Sequence, residues 1–244
     1  MPITVVTPME IHSLVIAKPT RIIDASKMRV ETQGGRQVLA SKSAKGTVDF
    51  SWLKAASEAY NISDDPRDYV LAEMPIVHAD VPNRNCDAFP YEEVSRFSTV
   101  LGCPVYKSFV GKPSHAEHDN KDPLKAKGVN FDAALVKTAN PIGVSLWTIM
   151  VLSGFDRTKD RALANAIARG ERSAYSMGAL VDETRCSVCD GVTSNGRACR
   201  CIGAKKGTIV MGALKYDKCY GVNYIENSSV KTPANPDAVS VDWW

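Results

Sequence analysis

The densest chemistry in this sequence lies between positions 186 and 201, where Cys186-Ser187-Val188-Cys189 is followed by Cys199-Arg200-Cys201. Two close pairs of thiolates suit tetrahedral zinc, with Zn–S bonds of about 2.3 Å, and C-x-x-C is a common turn for it. The C-x-C pair is tighter, and four free thiols remain the competing reading. Four sulfur ligands leave no open coordination position, so Cys186, Cys189, Cys199 and Cys201 point to a structural clip for Zn(II) rather than a Lewis acid. Cys86, Cys103 and Cys219 read as buried thiols. In a reducing compartment such clustering argues for metal ligation over a disulfide framework.

Histidine chemistry has four candidates, His12, His78, His115 and His118. Two of them share a loop, Gly111 to Pro123, rich in Gly, Pro, Asn and Asp, where scaffold-held function concentrates. Two solvated surface histidines would also fit. A zinc pair at His115 and His118 is weak, because H-x-x-H lacks the helical spacing and internal Glu of H-E-x-x-H. Ser176 lies in Tyr175-Ser176-Met177-Gly178, just past a helix ending at Gly170. A nucleophile needs an exposed hydroxyl, room for a carbonyl and nearby N–H donors, and Gly178 permits close approach. S-x-G is nevertheless common in ordinary strands.

Elements must position these groups. Alanine content and helical spacing predict a helix over Asp160–Arg169, ended by Gly170. A short helix is also expected around Leu53–Tyr60. Pro90-Tyr91-Glu92-Glu93 opens another, since proline and acids suit a first turn. Strands are predicted over Tyr69–Ile76, Val105–Val110, Val129–Val136, Val144–Leu152, Ser173–Val181, Thr208–Leu214 and Tyr220–Ile225. The class is α+β, mostly β. Residues 1–65 read as an arm and lead-in, with a polar Gly/Ser/Lys stretch from Gln33 to Gly46. Residues 66–244 form the main domain, interrupted by a cysteine-knuckle insert at 184–207.

The 244 residues carry a formal net charge of +3, with 44% hydrophobic and 23% charged residues, which is ordinary for a globular protein. No basic run is dense enough to track a phosphate backbone. No stretch approaches the roughly 20 apolar residues of a membrane span, and Met1 to Val15 lacks the layout of an export signal, so a cytosolic protein is expected.

Four groups of residues together carry a resemblance. Asn83-Arg84-Asn85 with Phe89, Glu117-His118-Asp119-Asn120 with Asp122-Pro123 and Gly128, Tyr175-Ser176-Met177-Gly178, and Ile225-Glu226-Asn227-Ser228 with Pro233-Ala234-Asn235-Pro236 and Ala238 resemble the prohead (capsid-maturation) proteases of tailed bacteriophages. The likeness runs over about residues 70 to 240, in the family's order. It implies a fold similar to herpesvirus assemblin, a β-barrel flanked by helices with the zinc knuckle as a small insert. It also implies a serine protease with His118 as general base and Ser176 as nucleophile. A third group must hold the imidazole, typically a carboxylate. Glu226 matches the family's motif and is chosen, with Asp217 the runner-up. Some relatives use a second histidine, for which His12 and His78 stand in poor context. Arg172 could supply oxyanion charge, although a solvated arginine at a helix end is commoner.

Some relatives carry a knuckle after S-M-G written C-S-x-C-G with a later C-x-H. This chain has Cys201 in place of that His, and Asp190 before the Gly. The resemblance further implies scaffolding protein and major capsid protein as substrates, self-cleavage, a homo-oligomer, and a place in the host cytoplasm inside the assembling prohead. No membrane or nucleic acid is expected as partner. The alternative is a non-enzymatic zinc-knuckle protein associated with capsids or contacting nucleic acid. Arg185, Arg197, Arg200, Lys205 and Lys206 surround the knuckle, but no aromatic is interleaved for base stacking.

Overall fold

The computed structural model describes residues 9–15, 21–33, 36–40, 47–117, 119–139, 145–172, 174–194, 199–201 and 203–230. Its principal strands are β1 (Met9–Val15), β2 (Arg21–Asp24), β3 (Tyr69–His78), β4 (Asp87–Ala88), β5 (Pro113–Ala116), β6 (Gly128–Ala139), β7 (Ser145–Asp156), β8 (Ala174–Val181), β9 (Glu183–Cys186), β10 (Asp217–Tyr220) and β11 (Asn223–Val230). Three short α-helices are present among the described residues: α1 (Leu53–Tyr60), α2 (Tyr91–Ser95) and α3 (Arg161–Ala168).

Eight strands form one sheet in the order β1-β8-β11-β5-β6-β7-β3-β2. The run of apolar residues in β3 is explained by burial on both faces. Val70, Ala72, Met74 and Ile76 enter one core with Ile149, Val151, Tyr175 and Met177, on which α3 packs Leu163, Ala164 and Ile167. Tyr69 and Leu71, pointing the other way by the two-residue period of a strand, join Phe131, Leu152 and the α1 residues Leu53 and Ala56. The Asp160 carboxylate caps α3 by accepting the Leu163 N–H at 3.0 Å.

The fold is mostly β, but the barrel expected from the resemblance is not what the ladders form. Strand β1 pairs only with β8 and β2 only with β3, so the sheet has two edges and no pairing joins them among the described residues. Three local expectations also change. Val105–Phe109 is a 3-10 helix, and its buried Val105 and Phe109 mimicked a strand's apolar content. Ile209–Val210 and Ala213–Leu214 form a hairpin instead of one strand, because Met211 and Gly212 both take positive φ, as a tight two-residue turn requires. Strand pairing breaks at Gly221 (φ 65°), where a Cβ would stand 2.3 Å from Asp182 Oδ2. Of the three isolated thiols only Cys219 is buried; Cys86 and Cys103 are half-buried. Within Gln33–Gly46, Arg36–Ala40 pairs with Arg29–Gln33, and positions 34–35 and 41–46 lie outside the described residues.

The break at Gly221 bends a long hairpin. Strand β8 continues through Asp182 into β9, β10 returns through Gly221 into β11, and the pairs β8·β11 and β9·β10 are both antiparallel. The cysteine insert is the tip of this hairpin, and β4 adds to it in parallel beside β10.

Core tightness is testable at Gly154 in β7, where a Cβ would lie 2.3 Å from Phe131 Cε2 and 3.0 Å from Tyr69 Cδ1. Gly154→Ala is expected to cost about 1–3 kcal/mol by overpacking the Tyr69–Phe131 contact, read as a lower denaturant midpoint with an unchanged slope.

Candidate active site and cysteine cluster

Register places the candidate residues. Ser176 on β8 stands opposite Ser228 on β11, and Ser228 stands opposite His115 on β5. Glu226, two residues before Ser228, stands opposite Gly178. By strand periodicity these residues share one sheet face, while Asn227 and Ser229 project from the other. A register shift after Gly178 leaves Ile225 as the extra residue, a bulge of the kind that re-aims neighbouring side chains.

The set is buried: Ser176 is 1% exposed, Ser228 0%, Glu226 2% and His115 1%. The Ser228 hydroxyl donates to Glu226 Oε2 at 2.5 Å, so one carboxylate oxygen is fixed from its own strand. The room left by Gly178 is taken by Glu226, since a Cβ there would meet Glu226 Cγ at 2.9 Å and Oε1 at 3.0 Å. The glycine therefore admits the carboxylate, where its sequence context had pointed to a substrate carbonyl. Ser176 is likewise covered, whereas a nucleophile was expected to have an exposed hydroxyl.

Burial holds the His115 imidazole below the usual histidine value, with the Glu226 and Asp119 charges and a hydrogen bond to the Asp119 backbone acting against it. Its Nδ1 is buried and has no hydrogen-bond partner. His118 lies outside the described residues. Its neighbours in sequence are described: Glu117 takes φ 54°, its N–H donates to the Ser229 carbonyl at 2.9 Å, and the Asp119 N–H donates to the Ala116 carbonyl at 3.1 Å. With strands spaced about 4.8 Å apart, β5 and β8 backbones run roughly 10 Å from each other across β11.

The other candidates lie elsewhere. Asp217 sits on β10, where it accepts from Thr193 Oγ1 at 3.1 Å and faces Lys206 Nζ at 3.7 Å. His78 closes β3 with Nδ1 2.9 Å from Thr148 Oγ1, in a polar chain that includes Thr138. The His12 backbone pairs opposite Gly178 in the ladder of β1 with β8. Sequence reading weighed His115 only as a solvated loop residue or a weak zinc ligand and gave Ser228 no role, although E-x-S at strand period was the available signal for the latter. It also passed over the opposite face of β11, where Asn227 Nδ2 donates to Ser153 Oγ at 2.7 Å. Ser153 and Ser114 in turn donate to Asn130 Oδ1 at 2.6 and 3.1 Å. Motif residues of the 83–89 segment shape a neighbouring turn: Asn83 Oδ1 accepts the N–H groups of Asn85 and Asp87, and Phe89 packs 5.9 Å from Tyr224. The segment 233–238 lies outside the described residues.

At the hairpin tip the sulfurs of Cys186, Cys189, Cys199 and Cys201 all lie within 4.8 Å of one another, close enough to hold one ion. A tetrahedron with Zn–S bonds of about 2.3 Å has edges of about 3.8 Å. Cys189 and Cys199 sulfurs stand 3.7 Å apart. The Gly191 N–H, aided by that of Arg200, pulls the Cys189 thiol down to about 6, while burial and the neighbouring thiols push Cys201 up to about 12. A bound cation is what lets all four ionise together. Asp190, which stands between Cys189 and Gly191, takes φ 56°, a left-handed conformation that aspartate tolerates. Lys206 ties this insert to β4 through the buried Asp87 at 2.7 Å.

No family model and no curated protein matches the chain. Among solved structures, the bacteriophage T4 capsid assembly protease is similar at a TM-score of 0.45 and 15% identity, over 91% of this chain and 98% of that one.

His115 and His78 are both depressed by burial, so the unfolded chain, with histidines near 6.5, binds protons that the folded chain refuses. Stability from these groups is complete above about pH 6.5 and declines as pH falls toward their folded values. Denaturant titrations should show that decline in the parent protein and a shallower one in His115→Gln.

Proposed function

We propose that this chain is a serine endopeptidase of phage prohead maturation, which cleaves scaffolding and major capsid polypeptides, and itself, through an acyl-enzyme. The observation that carries the reading is the convergence of sequence segments some fifty residues apart onto three adjacent strands. The serine of S-x-G, the glutamate of the E-x-S motif and the strand leading to H-D stand side by side on β8, β11 and β5. The resemblance in the sequence assigns roles to Ser176, Glu226 and His118, and the register that sets Ser176 and Glu226 on one face supports the reading.

In this mechanism His118 removes the Ser176 hydroxyl proton as Oγ bonds to the scissile carbonyl carbon. The tetrahedral intermediate collapses, the peptide C–N bond breaks, and the leaving amine takes that proton from the imidazolium. Water then attacks the acyl-enzyme with the same base, releasing the acid and restoring Ser176. Glu226 holds the imidazole and stabilises its protonated form, itself oriented by Ser228. Because Ser176 is covered, a substrate carbonyl reaches it only after the chain around it shifts, which agrees with an enzyme kept quiet until assembly. The fold we assign is an open-sheet relative of the assemblin-like proteases, with residues 66–244 as the protease domain, 1–65 as arm and lead-in, and 184–207 as the insert. A homo-oligomer in the host cytoplasm, enclosed in the prohead, completes the reading.

Cys186, Cys189, Cys199 and Cys201 would hold zinc structurally. Bound there, the ion crosslinks the hairpin whose base carries Ser176 and Glu226, and no step of the reaction passes through it.

Ser176→Ala is expected to lower cleavage at least about a thousandfold. In an assembly system, capsid and scaffold polypeptides then stay full length on a gel; normal processing by the variant would refute the assignment. Protein made with zinc supplied should carry one zinc per chain. At a metal concentration about a thousandfold over Kd the ion contributes about 4 kcal/mol. Chelation should therefore lower Tm by roughly 8–16 °C, reversibly on adding zinc back. A metal content well below one per chain would sink the clip.

A further inference from the structure

We propose that the Glu117–Arg172 ion pair is a clamp that fixes where the chain enters position 118 relative to Ser176, a positioning role that rests on the serine-protease reading above. Arg172 Nη1 donates to Glu117 Oε1 at 2.8 Å, joining residues 55 positions apart. One partner directly follows β5 and the other lies two residues before β8, so the pair bridges the two strands that flank β11. The Arg172 side chain is only 12% exposed although it belongs to no helix or strand, while Glu117 is 45% exposed.

The backbone at Glu117 is the second observation. Its φ of 54° is a left-handed conformation that costs a residue with a Cβ, and glycine or asparagine would fill it more readily. Glutamate at such a place makes sense when its carboxylate is used. The backbone there is held on both sides, by the N–H donated to Ser229 and by the Asp119 N–H donated to Ala116. Asp119 is further tied to Lys125 Nζ at 2.9 Å. The side-chain pair links this turn to the segment that leads, two residues later, into the strand of the nucleophile.

An ion pair with a half-exposed partner adds little to global stability. Orientation is different, since a displacement of about 1 Å at a reacting group can lower a rate by about a hundredfold. The clamp therefore predicts a large effect on reactivity with a small one on melting, the reverse of a merely structural contact.

The test uses the full chain and a fluorophosphonate, following Ser176 labelling by intact mass across the pH range around neutrality, with Ser176→Ala as the blank. Glu117→Gly relieves the backbone strain and removes the pair, so its Tm should hold or rise while labelling slows at least about tenfold and its pH profile shifts. Arg172→Ala should slow labelling similarly, the double variant should be no slower than the slower single, and Arg172→Lys should retain most of the rate. Labelling of Glu117→Gly at the parent rate, or effects that multiply in the double variant, would overturn the clamp alone. Should Arg172→Ala fail to fold, Glu117→Gly and Arg172→Lys decide the matter. A parent chain that resists the reagent even when labelled in an assembly system, where the enzyme must be switched on, would instead sink the serine-protease reading, and the clamp with it.

Discussion

Strand β11 is hydrogen-bonded antiparallel to β8 on one side and parallel to β5 on the other, and the candidate site depends on that double pairing. A strand so placed presents two alternate sets of side chains to two buried environments. Glu226 and Ser228 go to the face shared with Ser176 and His115. Asn227 goes to the opposite face, where its amide donates to Ser153, which with Ser114 donates in turn to Asn130 inside an otherwise apolar core. Both sets are polar and nearly without solvent, and buried polar groups are costly unless partnered. That cost fixes the register more tightly than hydrophobic alternation alone, because a slip by one residue would exchange the two sets.

The glycine and the bulge next to Glu226 serve the same pairing. Gly178 gives the carboxylate space that any side chain would occupy, and the extra residue Ile225 re-aims the strand just before it. The carboxylate is thus set by backbone geometry on one strand and by a hydroxyl two residues along its own. Placement by two rigid elements is what a charged group near a reacting centre requires, since an unsupported side chain loses precision and with it electrostatic leverage.

Much of this architecture was legible in the sequence where the signal is local. Helix α1 spans Leu53–Tyr60, where a short helix was expected, and α3, predicted from alanine content and apolar spacing, fits between its Asp160 cap and Gly170. The cysteine cluster was legible because metal chemistry ties residue type to spacing, and the four sulfurs do gather. Pairing partners were not legible, because strand order is a long-range property with no local trace. Nothing near Ser114 or His115 announces a parallel neighbour more than a hundred residues later. The same blindness hid Ser228 and assigned the space beside Gly178 to a substrate. Closure of the sheet was inferred from family likeness alone, and the ladders show two open edges. Val105–Phe109 misled for a simpler reason: apolar and β-branched content does not distinguish a strand from a single tight helical turn whose first and last residues are buried.

The bend at Asp182 and Gly221 turns one hairpin into a lever with two arms. Its short arm ends in the thiol cluster and its long arm lies in the main sheet, with the pivot closed so tightly that glycine alone fits against Asp182. The two backbones that leave the tip through this pivot are the ones that carry Ser176 and Ser228 opposite each other. An ion held at the tip and the buried hydroxyls in the main sheet thus belong to one hairpin, on either side of a single tight bend.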